Sequence, residues 1–154
     1  MMSLLAGIGI GSIIAAIVGW FVAISNHRQA WINALRDDLA AYLKGLEVMH
    51  YTIGNLLAAK TSDEIQSLEK QKQDARIAVL FAYRRILLRL NRKEKLHIQL
   101  ATALDALLKI ESKVPNSSSI DAVVDLARQV LKREWEVTKL GPFAKLVMWW
   151  RDHR

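Results

Sequence analysis

Cysteine is absent from the 154-residue chain. That excludes a disulfide framework, cysteine-based zinc sites, iron–sulfur ligation and thiol catalysis. Proline occurs twice and glycine seven times in a sequence rich in Leu, Ala, Lys and Arg. Collagenous, low-complexity and turn-dense all-β classes are excluded by that composition. Charge is missing from one place only: Met1 to Ile24 carries none, so all 22 basic and 15 acidic residues follow it. The remainder has the size of one compact domain, and the net charge of +7 points to an anionic partner, a nucleic acid or an anionic leaflet.

Met2 to Ile24 reads MSLLAGIGIGSIIAAIVGWFVAI. As a helix it would run roughly 34 Å, enough for a hydrocarbon core of about 30 Å. A cleavable signal peptide is the rival reading, with Ala23-Ile24-Ser25 as a small-x-small site, but no Lys or Arg precedes Arg28 to form a basic leader. Residues 1–24 are therefore expected to form a transmembrane helix, with Trp20 and Phe21 in an interfacial belt. Arg28, Arg36 and Lys44 follow the span and no basic residue precedes it. The positive-inside rule then places the N-terminus outside and the rest of the chain in the cytoplasm. Gly7, Gly11, Ala15, Gly19 and Ala23 recur every fourth residue, a small-residue ridge of the kind over which helices pack in lipid. The plain alternative is the general richness of such helices in Gly and Ala. Gly7-Ile8-Gly9-Ile10-Gly11 follows no strand and lacks the third-glycine spacing of a phosphate loop.

Beyond the span, residues 25–140 read as an all-α helical bundle. Apolar residues from Trp31 step at helical spacing through Leu35, Leu39, Leu46 and Ile53 to Leu56/Leu57. No proline or turn cluster separates this run from the span, so one long helix, or two nearly coaxial ones, is predicted from about Ser3 to Ala59. Thr61-Ser-Asp-Glu64 matches a capping box opening a second helix, Ser62 to Leu90, that buries Ile65, Leu68, Ala75, Val79, Ala82/Tyr83, Ile86/Leu87 and Leu90. Asn91 as N-cap would open a third from Arg92 to Lys113. After the loop 113–119, Ser118 or Ser119 caps a fourth helix to Lys139, with Ile120, Val123, Ala127, Val130 and Trp135 inward. Gly141-Pro142 stops it. Residues 141–154 form a basic, aromatic tail that suits either a helix at a headgroup boundary or the last piece of bundle core.

Three places could carry chemistry. Arg92 and His97 could bind phosphate and act as general acid or base; the alternative is solvated surface. Arg84, Arg85 and Arg89, with Arg92, Lys93 and Lys95, form a basic cluster offset by Glu94 alone, fit for RNA, an anionic leaflet or plain solvation. Trp31, Asn33 and Arg36 lie just below the span, where Trp31 and Arg36 suit the interface and Asn33 could bridge neighbouring chains. His27, His50 and His153 have no carboxylate or histidine at metal spacing, and no Ser/His/Asp context is visible. Neither a cofactor nor a metal is expected.

The stretch RQAWINALRDDLAAYL after a membrane span, followed by RRILLRLNRKEKLH after a helical spacer, resembles the small membrane-anchored accessory proteins of type VI-B CRISPR systems and their relatives. The resemblance covers about Met1 to Leu108. It implies a bacterial inner-membrane protein with a divergent HEPN-like R-x(4)-H signature, here Arg92 and His97, forming an oligomeric pore that depolarises the membrane during antiviral defence. An RNA-guided RNase or RNA is the implied partner. HEPN ribonucleases usually carry Asn, Asp or His directly after the arginine, where this chain has Lys93, so Arg92 and His97 are expected to bridge subunits. A single helix cannot enclose a channel, so the pore requires self-association; about eight helices, each ~10 Å wide, would ring a lumen on the order of 15 Å. Its gate would be apolar and work by wetting and dewetting.

Overall fold

A computed structural model describes the backbone of residues 2–109, 117–140 and 150, and the side chains of residues 12, 15–109, 118–139 and 150. The chain is all-α, with four helices and no strand among the described residues: α1 (Met2–Ala58), α2 (Ser62–Arg89), α3 (Lys95–Lys109) and α4 (Ser117–Leu140). Helix α1 is a single uninterrupted helix of 57 residues. Among the described residues no helix is long and apolar enough to cross a membrane. Most side chains of the apolar segment read from the sequence, those of residues 1–11, 13 and 14, lie outside the described ones, as do residues 110–116 and nearly all of the tail, 141–149 and 151–154.

The chain divides into two compact units, one of residues 1–32 and 132–154 and the other of residues 33–131. In the first, Arg28 Nη1 on α1 pairs with Glu134 Oε2 on α4 at 3.7 Å. Trp20 and Phe21 have tilted rings with centroids 5.2 Å apart, and Lys139 Nζ stands 5.0 Å over the Trp135 ring. In the second unit the predicted periodicities become core. Leu35, Leu39, Tyr42, Leu46 and Met49 of α1 are buried, with Ala75, Val79, Ala82 and Ile86 of α2, Leu100, Leu104 and Leu107 of α3, and Val123, Ala127 and Val130 of α4. Spacings of three and four bring each set onto one helix face.

Local signals explain the helix ends. Thr61 is extended, and its hydroxyl accepts from the Glu64 N–H at 3.3 Å. Glu64 reaches back as a capping box requires, although its carboxylate accepts from the Lys60 N–H rather than from Thr61's own. Helix α3 begins three residues later than the Asn91 cap predicts. Asn91 Oδ1 accepts from the Lys93 N–H at 3.0 Å and its Nδ2 donates to Glu94 Oε1 at 2.9 Å. These bonds close residues 91–94 into a turn, the competition with helix that short polar side chains offer. Arg92 therefore sits in that turn and not at a helical first position. Three further expectations are corrected: Leu57, Ile65 and Trp135, assigned inward by periodicity, are all exposed. Leu57 and Ile65 flank the α1–α2 connection, where the helices have run past the core.

Helices α1 and α2 approach closely at Gly45. A Cβ built there would lie 2.6 Å from Val79 Cγ2, and Val79 is fully buried, so little room exists for either to yield. Gly45→Ala is expected to destabilise by about 1 kcal/mol net, overpacking of about 1–3 kcal/mol outweighing the ~1 kcal/mol helix-propensity gain. Chemical denaturation followed by circular dichroism measures it. Combining Gly45→Ala with Val79→Ala should show a favourable coupling in the double-mutant cycle.

Candidate functional site

Site residues predicted from sequence gather around the C-terminal end of α2, within the second unit. Asp38 on α1 is buried, a position a carboxylate tolerates only when paired and hydrogen-bonded. Arg89 Nε donates to its Oδ2 at 2.7 Å, and Arg85 Nε lies 3.0 Å from its Oδ1. Four residues apart on α2, the two arginines share one face and converge on a single carboxylate from another helix. Charge-assisted bonds of this length are the strong ones. Arg84, one residue earlier, faces away and is exposed. The three arginines read as one anion-binding group are thus divided: Arg85 and Arg89 face an internal anion, and Arg84 faces outward.

Below that pair lies the turn that carries the R-x(4)-H residues. Its bends bring Arg92 and His97 to one open cavity of about 260 Å³, lined also by Leu87, Leu90, Asn91 and Ile98. Arg92 is exposed and His97 is buried. The backbone N–H of Asn91 donates to His97 Nδ1 at 2.8 Å, which places the neutral ring's proton on Nε2. Nε2 lies 3.8 Å from Glu94 Oε2, beyond hydrogen-bond distance. The Nδ1 lone pair that a general base would use is therefore engaged by the main chain, and the imidazole works as a strut joining α3 to the turn. The structure brings the two residues together, and it gives the histidine a structural task.

Trp31, Asn33 and Arg36 follow one another along α1, with Trp31 half-buried and the other two exposed. Arg36 Nη1 donates to Asn33 Oδ1 at 3.3 Å within the helix. At the ridge, Ala15 and Gly19 are exposed, and a Cβ at Gly19 would meet nothing within 4 Å. The surroundings of Gly7 and Gly11 lie outside the described side chains.

Two features gave no local signal in the sequence. The Asp38 clamp joins residues 51 apart, and only an aspartate on an otherwise apolar helical stripe marks it. The other is a set of polar contacts between the buried Tyr42, the half-buried Tyr83 and Asp105, and the exposed Lys109. The Tyr42 hydroxyl donates to the Leu104 carbonyl at 2.7 Å, and the Tyr83 hydroxyl donates to Asp105 Oδ1 at 3.4 Å, while Asp105 Oδ2 lies 2.6 Å from Lys109 Nζ. Burial holds the Tyr42 and Tyr83 phenols above their ordinary range. The hydrogen bond from Lys109 holds the Asp105 carboxyl below its own. At His50, burial lowers the imidazole.

Asp38→Ala is expected to cost about 2 kcal/mol in chemical denaturation. That is less than a sealed ion pair would cost, because Arg85 and Arg89 can rehydrate once released. Arg84→Ala should change stability by no more than about 0.5 kcal/mol.

Comparison with protein-family models, with curated proteins and with solved structures finds no match to this chain.

Proposed function

We propose that the chain is a single-pass inner-membrane protein whose copies assemble through α1 into a ring of about eight around a pore. Its N-terminus lies outside, its helical bundle in the cytoplasm, and it acts in antiviral defence beside an RNA-guided RNase. The observation that carries the reading is the described start of α1. Ile17, Val18, Trp20, Val22 and Ile24 are all exposed and at about 100° per residue cover an arc of about 200°, while the remaining sector carries Ala15, Gly19 and Ala23, also exposed and uncharged. A helix that is apolar all round is covered by lipid or by other helices, not by water. The uncharged sequence back to Met2 supplies the remaining length, and α1 runs on from it into the bundle without a break. The open surroundings of Gly19 leave that edge clear for a neighbouring helix. The defence setting and the RNase partner rest on the resemblance at Trp31–Arg36 and Leu88–Asn91. Arg92, Trp31, Asn33 and Arg36 are assigned to contacts between subunits, and the buried His97 takes part only by holding the turn that presents Arg92.

A membrane-tethered ribonuclease is the reading that the shared cavity of Arg92 and His97 favours, and the engaged Nδ1 of His97 weighs against it. Detergent-solubilised protein is expected to have the native mass of a large ring, and liposomes containing it to leak ions. Gly11→Leu and Gly19→Leu should abolish leakage with helicity unchanged, and Arg92→Ala should reduce the oligomer. A monomer, or unchanged leakage in the glycine variants, overturns the pore. RNA cleavage lost in His97→Ala with assembly intact establishes the enzyme instead.

A further inference from the structure

Helix α2 is apolar on two opposite faces. Ala75, Val79, Ala82 and Ile86 face the core. Ile77, Phe81 and Leu88 are on the other side, exposed by 43%, 63% and 87%, and Arg84 shares their face. Their spacing of four, three and four residues confines them to an arc of about 60°, diametrically opposite the buried stripe. An outer helix of a bundle normally turns polar side chains to this side. Here a row of large apolar groups about 16 Å long has an arginine set within it. Arg85 and Arg89 are drawn to Asp38, and Arg84, exposed, is the arginine that shares the apolar outer face.

The same unit carries a surface of matching chemistry. Opposite its buried stripe, α1 exposes Asp37, Ala40, Ala41, Lys44, Glu47 and Tyr51 on one face. Ala40 and Ala41 leave a shallow trough where bulky side chains can settle, and Asp37 and Glu47 stand about 15 Å apart along it, offset by Lys44 alone. The trough is about as long as the α2 row.

From this complementarity we infer that the outward row of α2, Ile77, Phe81, Arg84 and Leu88, docks head-to-tail on the Asp37–Tyr51 face of α1 in a second copy of the chain. Phe81 and Leu88 fill the alanine trough, and Arg84 pairs with Asp37 or Glu47. Two α2 rows meeting face to face would set Arg84 against Arg84, which like-charge repulsion disfavours. A contact between two different faces repeats from copy to copy and closes into a ring or runs on as a filament. The inference rests on the pore reading above and supplies it with a cytoplasmic contact between subunits.

The cysteine-free chain allows a direct test on the full-length protein in detergent. Single variants Ala41→Cys and Phe81→Cys and the double variant are treated with a short bis-maleimide, and the native mass of the unmodified protein is measured alongside. The double variant is expected to give a ladder of covalent oligomers. Each single variant alone should stay at the mass of one chain, and a mixture of the two should stop at dimers. Phe81→Asp and Leu88→Asp, exposed positions whose change leaves the fold intact, should each raise the protein concentration at half-assembly by about tenfold or more. Arg84→Glu should do the same, with Asp37→Arg or Glu47→Arg restoring assembly. Cross-linking within the Phe81→Cys variant alone would show a symmetric contact and overturn the head-to-tail surface. An oligomer of unchanged mass with no ladder and no effect of Phe81→Asp overturns this surface and leaves the pore standing. A monomeric unmodified protein overturns both.

Discussion

A helix that offers water no polar face has no stable place in it, and the start of α1 is such a helix, with large apolar side chains over about 200° of its circumference and Ala15, Gly19 and Ala23 over the rest. Burial of apolar surface is the largest favourable term in folding and assembly, and no amphipathic rotation can satisfy Ile17, Val18, Trp20 and Val22 together. Whatever surrounds them must be apolar on all sides. Lipid meets that demand, and other copies of the same helix meet the part of it where small residues permit close approach. The remainder of the described chain is what an ordinary helical bundle needs: stripes at helical spacing, paired polar groups inside, charges outside.

The bundle achieves its packing with few special devices. Gly45 admits Val79 where a methyl group would collide, so α1 and α2 run at close range. Lower along the pair, Asp38 binds two successive arginines of α2. This agrees with the rotational setting that the buried stripe Ala75, Val79, Ala82 and Ile86 gives α2, which leaves Arg84 and the row from Ile77 to Leu88 on the outer side. At the next corner Asn91 and His97 tie the turn to α3 through main-chain and imidazole bonds. That brings the signature residues Arg92 and His97 to a common cavity while engaging the lone pair that catalysis would need.

Much of this was legible in the sequence because it depends on neighbours along the chain. The continuity of α1 follows from an unbroken apolar period with no proline, and the α2 start follows from Thr61 and Glu64. Their reach is a few residues, and so is that of the rules that find them. Where the outcome depends on residues far apart, the sequence was silent. The pairing of Asp38 with Arg85 and Arg89 spans two helices, and without it the three arginines read as one solvent-facing cluster. Asn91 was recognisable as a helix-starting residue, yet its side chain closes a turn and defers the helix to Lys95. Leu57 and Ile65 share the period of the core but lie beyond the last residues that could cover them. The second apolar face of α2 was visible as letters and invisible as a surface, since only the packing of Ala75, Val79, Ala82 and Ile86 shows which side is left outside.

The proposed embedding of α1 is open to one direct measurement. With no native thiol to interfere, Val18→Cys and Leu57→Cys, the latter at a position 86% exposed and outside the proposed contacts, can be labelled with a charged, water-soluble maleimide in intact membranes and again after solubilisation in denaturing detergent. Protection of position 18 until the membrane is dissolved, with position 57 reacting throughout, is the predicted result. Equal labelling of both positions in intact membranes would contradict it.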